Sequence, residues 1–129
     1  DKRPRSSIFT NLGHNRETNL KDDNAALSAY RQNFVGRERI GGSDEFRSVQ
    51  QAARILSRQG KHNDALKTLA QIDLDKTNGS WLATTLAIKG DLLAAAKRPA
   101  EARSAYRKAL AEPGLPRSLR MEITKTFEK

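Results

Sequence analysis

The sequence predicts an all-helical fold in which helical hairpins stack into an elongated solenoid. The first observation is an internal repeat, since the pattern of small and apolar residues around Ala53 recurs around Gly90, 37 residues later. The second is that both predicted helices of each copy carry a small residue where two helices can cross closely. The third is a large apolar residue one turn later in the second helix, at Leu69 and again at Tyr106. A period of this length with this packing pattern is typical of helical-hairpin repeats.

The two copies share an ordered set of residue types across both helices. The first copy consists of Val49, Ala53, Leu56, Gly60 at the turn, Ala65, Leu69 and Ile72, and the second of Leu86, Gly90, Leu93, Ala102, Tyr106 and Ala109. This set resembles the tetratricopeptide repeat (TPR) family, although Lys89 stands where the family usually has leucine and Pro99 where it often has tyrosine. The resemblance implies a right-handed TPR-like solenoid, and an unrelated helical bundle is the alternative.

The repeats divide the chain into a linker or frayed end at residues 1–7 and a single domain at 8–129. Two clear repeats are predicted at 43–79 and 80–114, followed by a capping helix at 116–128 with apolar residues Leu119, Ile123 and Phe127 at four-residue intervals. A degenerate repeat is predicted at about 8–42, because the Ser-Ala-Tyr-Arg sequence at 28–31 recurs at 104–107. A short helix at its start is predicted to reach Leu12.

Close helix crossings are expected at the small residues of each hairpin. Gly90 is predicted to lie against Ala102, and Tyr106 is predicted to fill the gap to the neighbouring hairpin. Trp81 begins the helix after the polar connection at 75–79. Packing on a neighbouring helix is the favoured interpretation of Trp81, and stacking on a ligand is the alternative.

The chain is strongly basic, with 24 Lys and Arg residues against 15 Asp and Glu residues and a formal net charge of +9. The excess is spread over both halves of the chain. It predicts either contact with nucleic acid or an acidic membrane surface or, more commonly on helices, solvated outer faces. The chain has no cysteine, which excludes disulfides and thiolate sites. Its longest obvious apolar run, residues 92–96, is far shorter than the about 20 residues of a membrane span.

No arrangement of residues predicts catalysis, a cofactor or a metal site. His14 and His62 have no second histidine or cysteine at ligand spacing, and acidic residues at helix starts are explained by capping. The glycine pair before Ser43 lacks the Lys-Ser/Thr ending of a phosphate loop. We therefore predict a non-enzymatic protein that acts by binding.

The TPR resemblance implies a concave groove lined by the first helices of successive repeats, which holds a peptide or helix of a partner. Transferred position by position, the lining residues are Arg47, Gln50, Arg54 and Arg58 from one repeat and Thr84, Ala87, Asp91 and Ala95 from the next. The guanidinium groups predict a protein partner with an acidic segment or a C-terminal carboxylate, because arginine binds carboxylates bidentately. The carboxylate clamp of the family is not reproduced, since Gln50 and Arg54 do not match its Lys and Asn positions.

A narrower resemblance covers about residues 61–123. The stretches 65–69, 102–105 and 119–123 and the pair Gly90-Asp91 are similar to the C-terminal part of the YfgM-type family, periplasmic ancillary subunits of the Sec translocon. It implies a cell-envelope or secretion-related complex, whereas a chain beginning at Asp1 is expected to be a processed or excised piece, so the periplasm and the cytoplasm both stay open. Two other functions are left open: a basic nucleic-acid-binding domain, and a structural segment that assembles as a weak homo-oligomer.

Overall fold

The computed structural model describes residues 6–36 and 41–128, and within these ranges the chain is all helical. The helices are α1 (Ser6–Thr18), α2 (Asp23–Arg31), α3 (Ser43–Arg58), α4 (His62–Leu69), α5 (Gly79–Ala95), α6 (Pro99–Ala111) and α7 (Arg117–Glu128). A 3₁₀ turn, Leu74–Lys76, connects α4 to α5. The all-helical prediction is confirmed.

Consecutive helices form three hairpins, α1 with α2, α3 with α4, and α5 with α6. The hairpins stack because α2 packs on α3 and α4 packs on α5, while the first helices α1, α3 and α5 also contact each other in a row. The last helix, α7, packs against both α5 and α6. An array of this kind gives each hairpin contacts mainly with its neighbours, as in other repeat proteins.

The first hairpin is longer than the sequence analysis predicted. Helix α1 begins at Ser6, inside the stretch predicted as linker, and continues beyond Leu12 to Thr18. It continues because Thr10 and Gly13 are buried, and Arg16 Nη1 donates to the Ala25 carbonyl oxygen at 3.0 Å. The division into three repeats and a capping helix remains a prediction. The hairpins and α7 follow its order, although α1 begins at Ser6, before residue 8, and α5 begins at Gly79, before residue 80.

Tyrosine packs over glycine in two of the hairpins. A Cβ atom placed on Gly90 would lie 2.5 Å from Tyr106 Cδ1, and one placed on Gly13 would lie 2.6 Å from Tyr30 Cε1. Since both distances are far below van der Waals contact, only glycine lets these rings lie on the first helix. Tyr106 therefore packs inside its own hairpin, against the first helix. The predicted close crossing of Gly90 with Ala102 and the predicted packing of Tyr106 against the neighbouring hairpin stay predictions.

Buried apolar side chains form two clusters. One comprises residues of α2, α3 and α4 with Ile88 and Leu92 of α5. The other comprises residues of α5 and α6 with Leu115 and with Ile123 of α7. Helix α5 contributes to both clusters and joins them. The side chain of Phe127, a predicted capping residue, is not among those that the structure describes.

Trp81 joins the second and third hairpins. Its ring stacks on Phe46 of α3, with the ring centroids 5.4 Å apart and the planes inclined by 21°. The packing interpretation of Trp81 is therefore confirmed. Helix α4 ends at Leu69, because the Gln71 and Ile72 amides bond the carbonyls three residues back and tighten the chain into a turn.

Candidate functional site

The first helices present one side away from the core. On α3 the residues at this side are Arg47, Gln51, Arg54 and Arg58, which follow each other at intervals of three or four residues and form one stripe along the helix. On α5 the corresponding stripe consists of Thr84, Asp91 and Ala95. We call the exposed side of α1, α3 and α5 the inner face, defined by Glu17, Arg47, Arg54, Thr84 and Asp91.

Glu17 of α1 ties the first hairpin to α3. Its carboxylate accepts hydrogen bonds from Tyr30 Oη at 3.0 Å, Gln51 Nε2 at 3.3 Å and Arg58 Nη2 at 2.9 Å. Burial and the neighbouring Glu17 raise the pKa of the Tyr30 hydroxyl above its ordinary value, so it remains a hydrogen-bond donor. The contacts of this carboxylate join α1, α2 and α3.

Arg58, one of the predicted groove residues, is held in this same cluster. Its Nη2 atom lies 2.9 Å from Glu17 Oε2 and 2.9 Å from Asp23 Oδ1. The hydrogen bond to Asp23 raises the pKa of Arg58 further above its ordinary value. Arg58 therefore links the first hairpin to α3 of the second, and its guanidinium is already paired with these two carboxylates.

Gln50, another predicted groove residue, lies beneath the inner face. It is only 6% exposed, and its Nε2 atom donates to Thr85 Oγ1 at 3.1 Å. Thr85 in turn donates to the Trp81 carbonyl oxygen at 2.7 Å. The amide of Gln50 thus connects α3 to α5, because a buried polar group needs a partner within the protein.

Arg47 and Arg54 are the predicted groove arginines that stay available. Within the part of the chain that the structure describes, neither guanidinium makes a hydrogen bond or an ion pair. Arg47 is exposed and Arg54 is half-buried. They are seven residues apart on α3, which separates their Cα atoms by about 10 Å along the helix axis. Thr84 on α5 is half-buried.

Asp91 places an acidic group beside these arginines. Its Oδ1 atom accepts a hydrogen bond of 2.5 Å from Tyr106 Oη. Although Asp91 is exposed as a residue, partial burial of its carboxyl raises its pKa above the ordinary value. The nearby Glu122 of α7 acts in the same direction, whereas the Tyr106 hydroxyl and the Arg54 guanidinium act against it.

The raised pKa of Asp91 predicts a pH-dependent stability cost. A carboxyl that binds its proton more tightly in the folded state lowers the free energy of unfolding as pH rises from its unfolded pKa through its folded pKa. The Asp91→Asn variant keeps an oxygen acceptor for Tyr106 and removes the charge. We expect it to unfold at higher urea concentration than the wild-type chain at pH 7, with the difference shrinking toward pH 4. A variant that is less stable at pH 7 would contradict this.

Sequence reasoning missed Glu17, and it left Gln51 out of the predicted groove residues. The helix containing Glu17 was predicted to reach only Leu12, so Glu17 was not placed beside α3. The signal for Gln51 was its spacing: it lies between Arg47 and Arg58 on the same helical stripe, and both of these were predicted groove residues. The contact between α1 and α3 had no signature in the sequence pattern.

A cleft lies on the side of α5 opposite to Asp91. It has a volume of about 700 Å³ between α4, the 3₁₀ turn and the start of α6, and Leu66, Leu74, Lys89 and Leu93 are among its lining residues. The cleft opens where α4 ends after two turns. Lys89, which departs from the TPR pattern, is exposed at this cleft.

Comparison with known proteins gives one match. The family model of the tetratricopeptide repeat-like domain matches residues 41–123, about two thirds of the chain and the part that contains α3 to α6 and the first half of α7. No curated protein and no solved structure matches the chain. None of the helices in the described ranges is long and apolar enough to cross a membrane. The repeated hairpins, the row of first helices and this match together show that the chain belongs to the tetratricopeptide repeat-like family.

Proposed function

We propose that this chain is a non-enzymatic protein-interaction module whose inner face binds an acidic segment of a partner protein. The observation that carries the proposal is the pair Arg47 and Arg54, which point away from the core and make no ion pair among the described residues. Surface arginines of this kind on a rigid helix are suited to charge-assisted, bidentate contacts with carboxylates.

The dimensions of the inner face suit an extended segment. Helices that pack side by side lie about 9 Å apart, so the row α1, α3 and α5 extends over about 18 Å. An extended chain covers that distance in about 5 residues. Acidic side chains two turns of α3 apart would reach Arg47 and Arg54 together, and the short Thr84 side chain leaves space for the segment to approach α5.

Gln50 and Arg58 support this face from below and from the side. Gln50 fixes α5 relative to α3, and Arg58 fixes α1 and α2 relative to α3. Their contribution to binding is to hold the face in one shape, which lowers the entropic cost of association. The proposed contact residues are therefore Arg47 and Arg54, with Thr84 and Asp91 beside them.

The test is a charge reversal on α3 with a matched reversal elsewhere. The probe is a fluorescein-labelled synthetic peptide of about 12 residues, containing glutamate, alanine and leucine, measured by fluorescence anisotropy. We expect Arg47→Glu with Arg54→Glu to weaken binding by about tenfold or more, because two attractions become repulsions. The control is Arg103→Glu with Arg107→Glu, which makes the same charge change at exposed residues of α6 and is expected to leave binding within about twofold.

Equal loss in both variants would overturn the proposal, since it would show that only net charge matters. The nucleic-acid alternative is tested with a labelled single-stranded oligonucleotide. Tight binding of that probe with a steep loss of affinity at higher salt, and no binding of the acidic peptide, would favour phosphate recognition. Self-assembly without either ligand would favour the structural alternative, and sedimentation velocity measures it.

The narrower resemblance of residues 61–123 to the YfgM-type family supports a place for this module in a cell-envelope or secretion-related complex. In that setting the inner face would contact an acidic stretch of a partner subunit or of a translocating chain. Fractionation of cells that express the natural protein tests this placement, and a purely cytoplasmic location would contradict it.

A further inference from the structure

The charged groups of the inner face are segregated by helix. Arg47 and Arg54 lie on α3, whereas Asp91 lies on α5 and Glu122 on α7. Helix α7 packs on α5, and Glu122 is close enough to raise the pKa of Asp91. The inner face is therefore basic at Arg47 and Arg54 on α3 and acidic at Asp91 on α5.

We propose that the inner face selects a bipolar segment, which places acidic side chains over Arg47 and Arg54 and a lysine or arginine beside Asp91. This inference rests on the proposed function and adds the chemistry of the second half of the ligand. It distinguishes a segment of mixed charge from a uniformly acidic one.

The hydrogen bonding of Asp91 leaves room for such a cation. Tyr106 occupies Oδ1 of the carboxylate, and Oδ2 accepts no hydrogen bond from any described residue. Arg54 is close enough to influence Asp91 electrostatically, yet it forms no ion pair with it within 4.0 Å. An ionised carboxylate accepts at both oxygens, so Oδ2 can accept a hydrogen bond from an incoming ammonium or guanidinium group.

The energetics of Asp91 point the same way. Its carboxyl is partly buried, and the Tyr106 hydroxyl and the Arg54 guanidinium offset this burial only in part, so a ligand cation would stabilise the carboxylate further. Carboxyls whose pKa is perturbed by burial and by specific partners are often found at functional positions. The Tyr106 hydrogen bond holds the carboxyl in one orientation toward the inner face.

A uniformly acidic ligand would meet the opposite situation. Its carboxylates would pair with Arg47 and Arg54, but those that reach α5 would lie beside Asp91. Like charges that lie close together at an interface lower the affinity of the complex, so they select against partners that carry them. Asp91 thus acts against uniformly acidic chains and in favour of chains in which a basic residue follows or precedes the acidic block.

The experiment compares peptides that differ only at one end. Each peptide has the same glutamate-containing block, joined either to a lysine-containing block or to a glutamine-containing block, and each is made in both block orders because charge alone does not fix the direction of the chain. For the wild-type protein we expect the better lysine peptide to bind about fivefold more tightly than the matching glutamine peptide. Asp91→Asn, which retains the acceptor for Tyr106, is expected to remove this preference.

The matched control is Asp64→Asn, which removes one exposed acidic charge from α4. Helix α4 is the second helix of its hairpin and does not belong to the inner face. The variant is expected to keep the fivefold preference.

If the wild-type protein binds both peptides equally, and that binding is lost in the Arg47→Glu, Arg54→Glu variant, the bipolar inference is overturned while the acidic-segment function stands. If neither peptide binds the wild-type protein, the proposed function fails and the inference fails with it. Loss of the preference in Asp64→Asn would also overturn it, because the effect would then reflect net charge.

Discussion

Replacing Tyr106 by alanine is expected to lower the free energy of unfolding by about 3–5 kcal/mol, the cost of cutting a buried aromatic side chain to alanine. Tyr106 is only 7% exposed, and its ring lies on the bare backbone at Gly90. Gly90 has no side chain that could fill the space left by the ring. The variant would therefore keep a cavity at the crossing of α5 and α6, and urea denaturation followed by circular dichroism measures the loss.

The Tyr106→Phe variant is the control for this experiment. It keeps the ring over Gly90 and removes only the hydroxyl that donates to Asp91. We expect its free energy of unfolding to fall by about 0.5–1.5 kcal/mol, the contribution of a single hydrogen bond. If the alanine variant changed stability by less than about 0.5 kcal/mol, as exposed positions do, the packing of the third hairpin described above would be wrong.

Much of the fold could be predicted from the sequence because its signals are local or periodic. The apolar stripe through Val49, Ala53 and Leu56 fixes which side of α3 faces the core, and the turn at Gly60, with φ of 80°, suits glycine. The 37-residue recurrence of this stripe around Gly90 identified the hairpins. The contacts inside a hairpin were harder to predict, since the pattern did not show that the Tyr106 ring lies on Gly90.

The candidate site was only partly predictable, because its side chains are sorted by contacts between distant helices. Periodicity places Arg47, Arg54 and Arg58 on one stripe, but it cannot show that Glu17 and Asp23, 41 and 35 residues away from Arg58, pair with it. Gln50 was assigned to the groove by transfer from the tetratricopeptide pattern, although Thr85 of α5 holds it in the interior. The sequence therefore indicated on which helices these residues lie, but it could not separate structural from available polar groups.

Several arginines of this basic chain have structural tasks. Arg120 donates to the carbonyl oxygens of Leu110 and Glu112 at the end of α6, and Arg98 pairs with Glu101. Arg16 donates to the Ala25 carbonyl oxygen in the first turn of α2. These contacts explain part of the basic excess without a polyanionic ligand, and they leave Arg47 and Arg54 as available groups on the inner face.

The Tyr30→Ala variant tests whether the first hairpin, which lies outside the matched residues 41–123, is an integral part of the array. Tyr30 is 1% exposed, and its ring lies on Gly13 as the ring of Tyr106 lies on Gly90. Its hydroxyl also donates to Glu17. We expect the free energy of unfolding to fall by about 3–5 kcal/mol. We also expect a single cooperative unfolding transition, because Glu17, Arg58 and Ser48 connect α1 and α2 to α3.

The connection to Ser48 runs through Asn33, whose buried amide nitrogen donates to Thr10 of α1 and Ser48 of α3 at 3.1 and 2.7 Å. Tyr30→Phe is the control, and it is expected to lose only the hydroxyl contribution of about 0.5–1.5 kcal/mol. Hydrogen exchange of the α3 to α6 amides decides between integration and appendage. If the alanine variant speeds exchange only in α1 and α2 while the other helices keep wild-type protection, the first hairpin unfolds by itself as a separate unit. Faster exchange throughout the chain would show that α1 and α2 share one cooperative fold with the matched repeats, as the contacts of Glu17 and Asn33 predict.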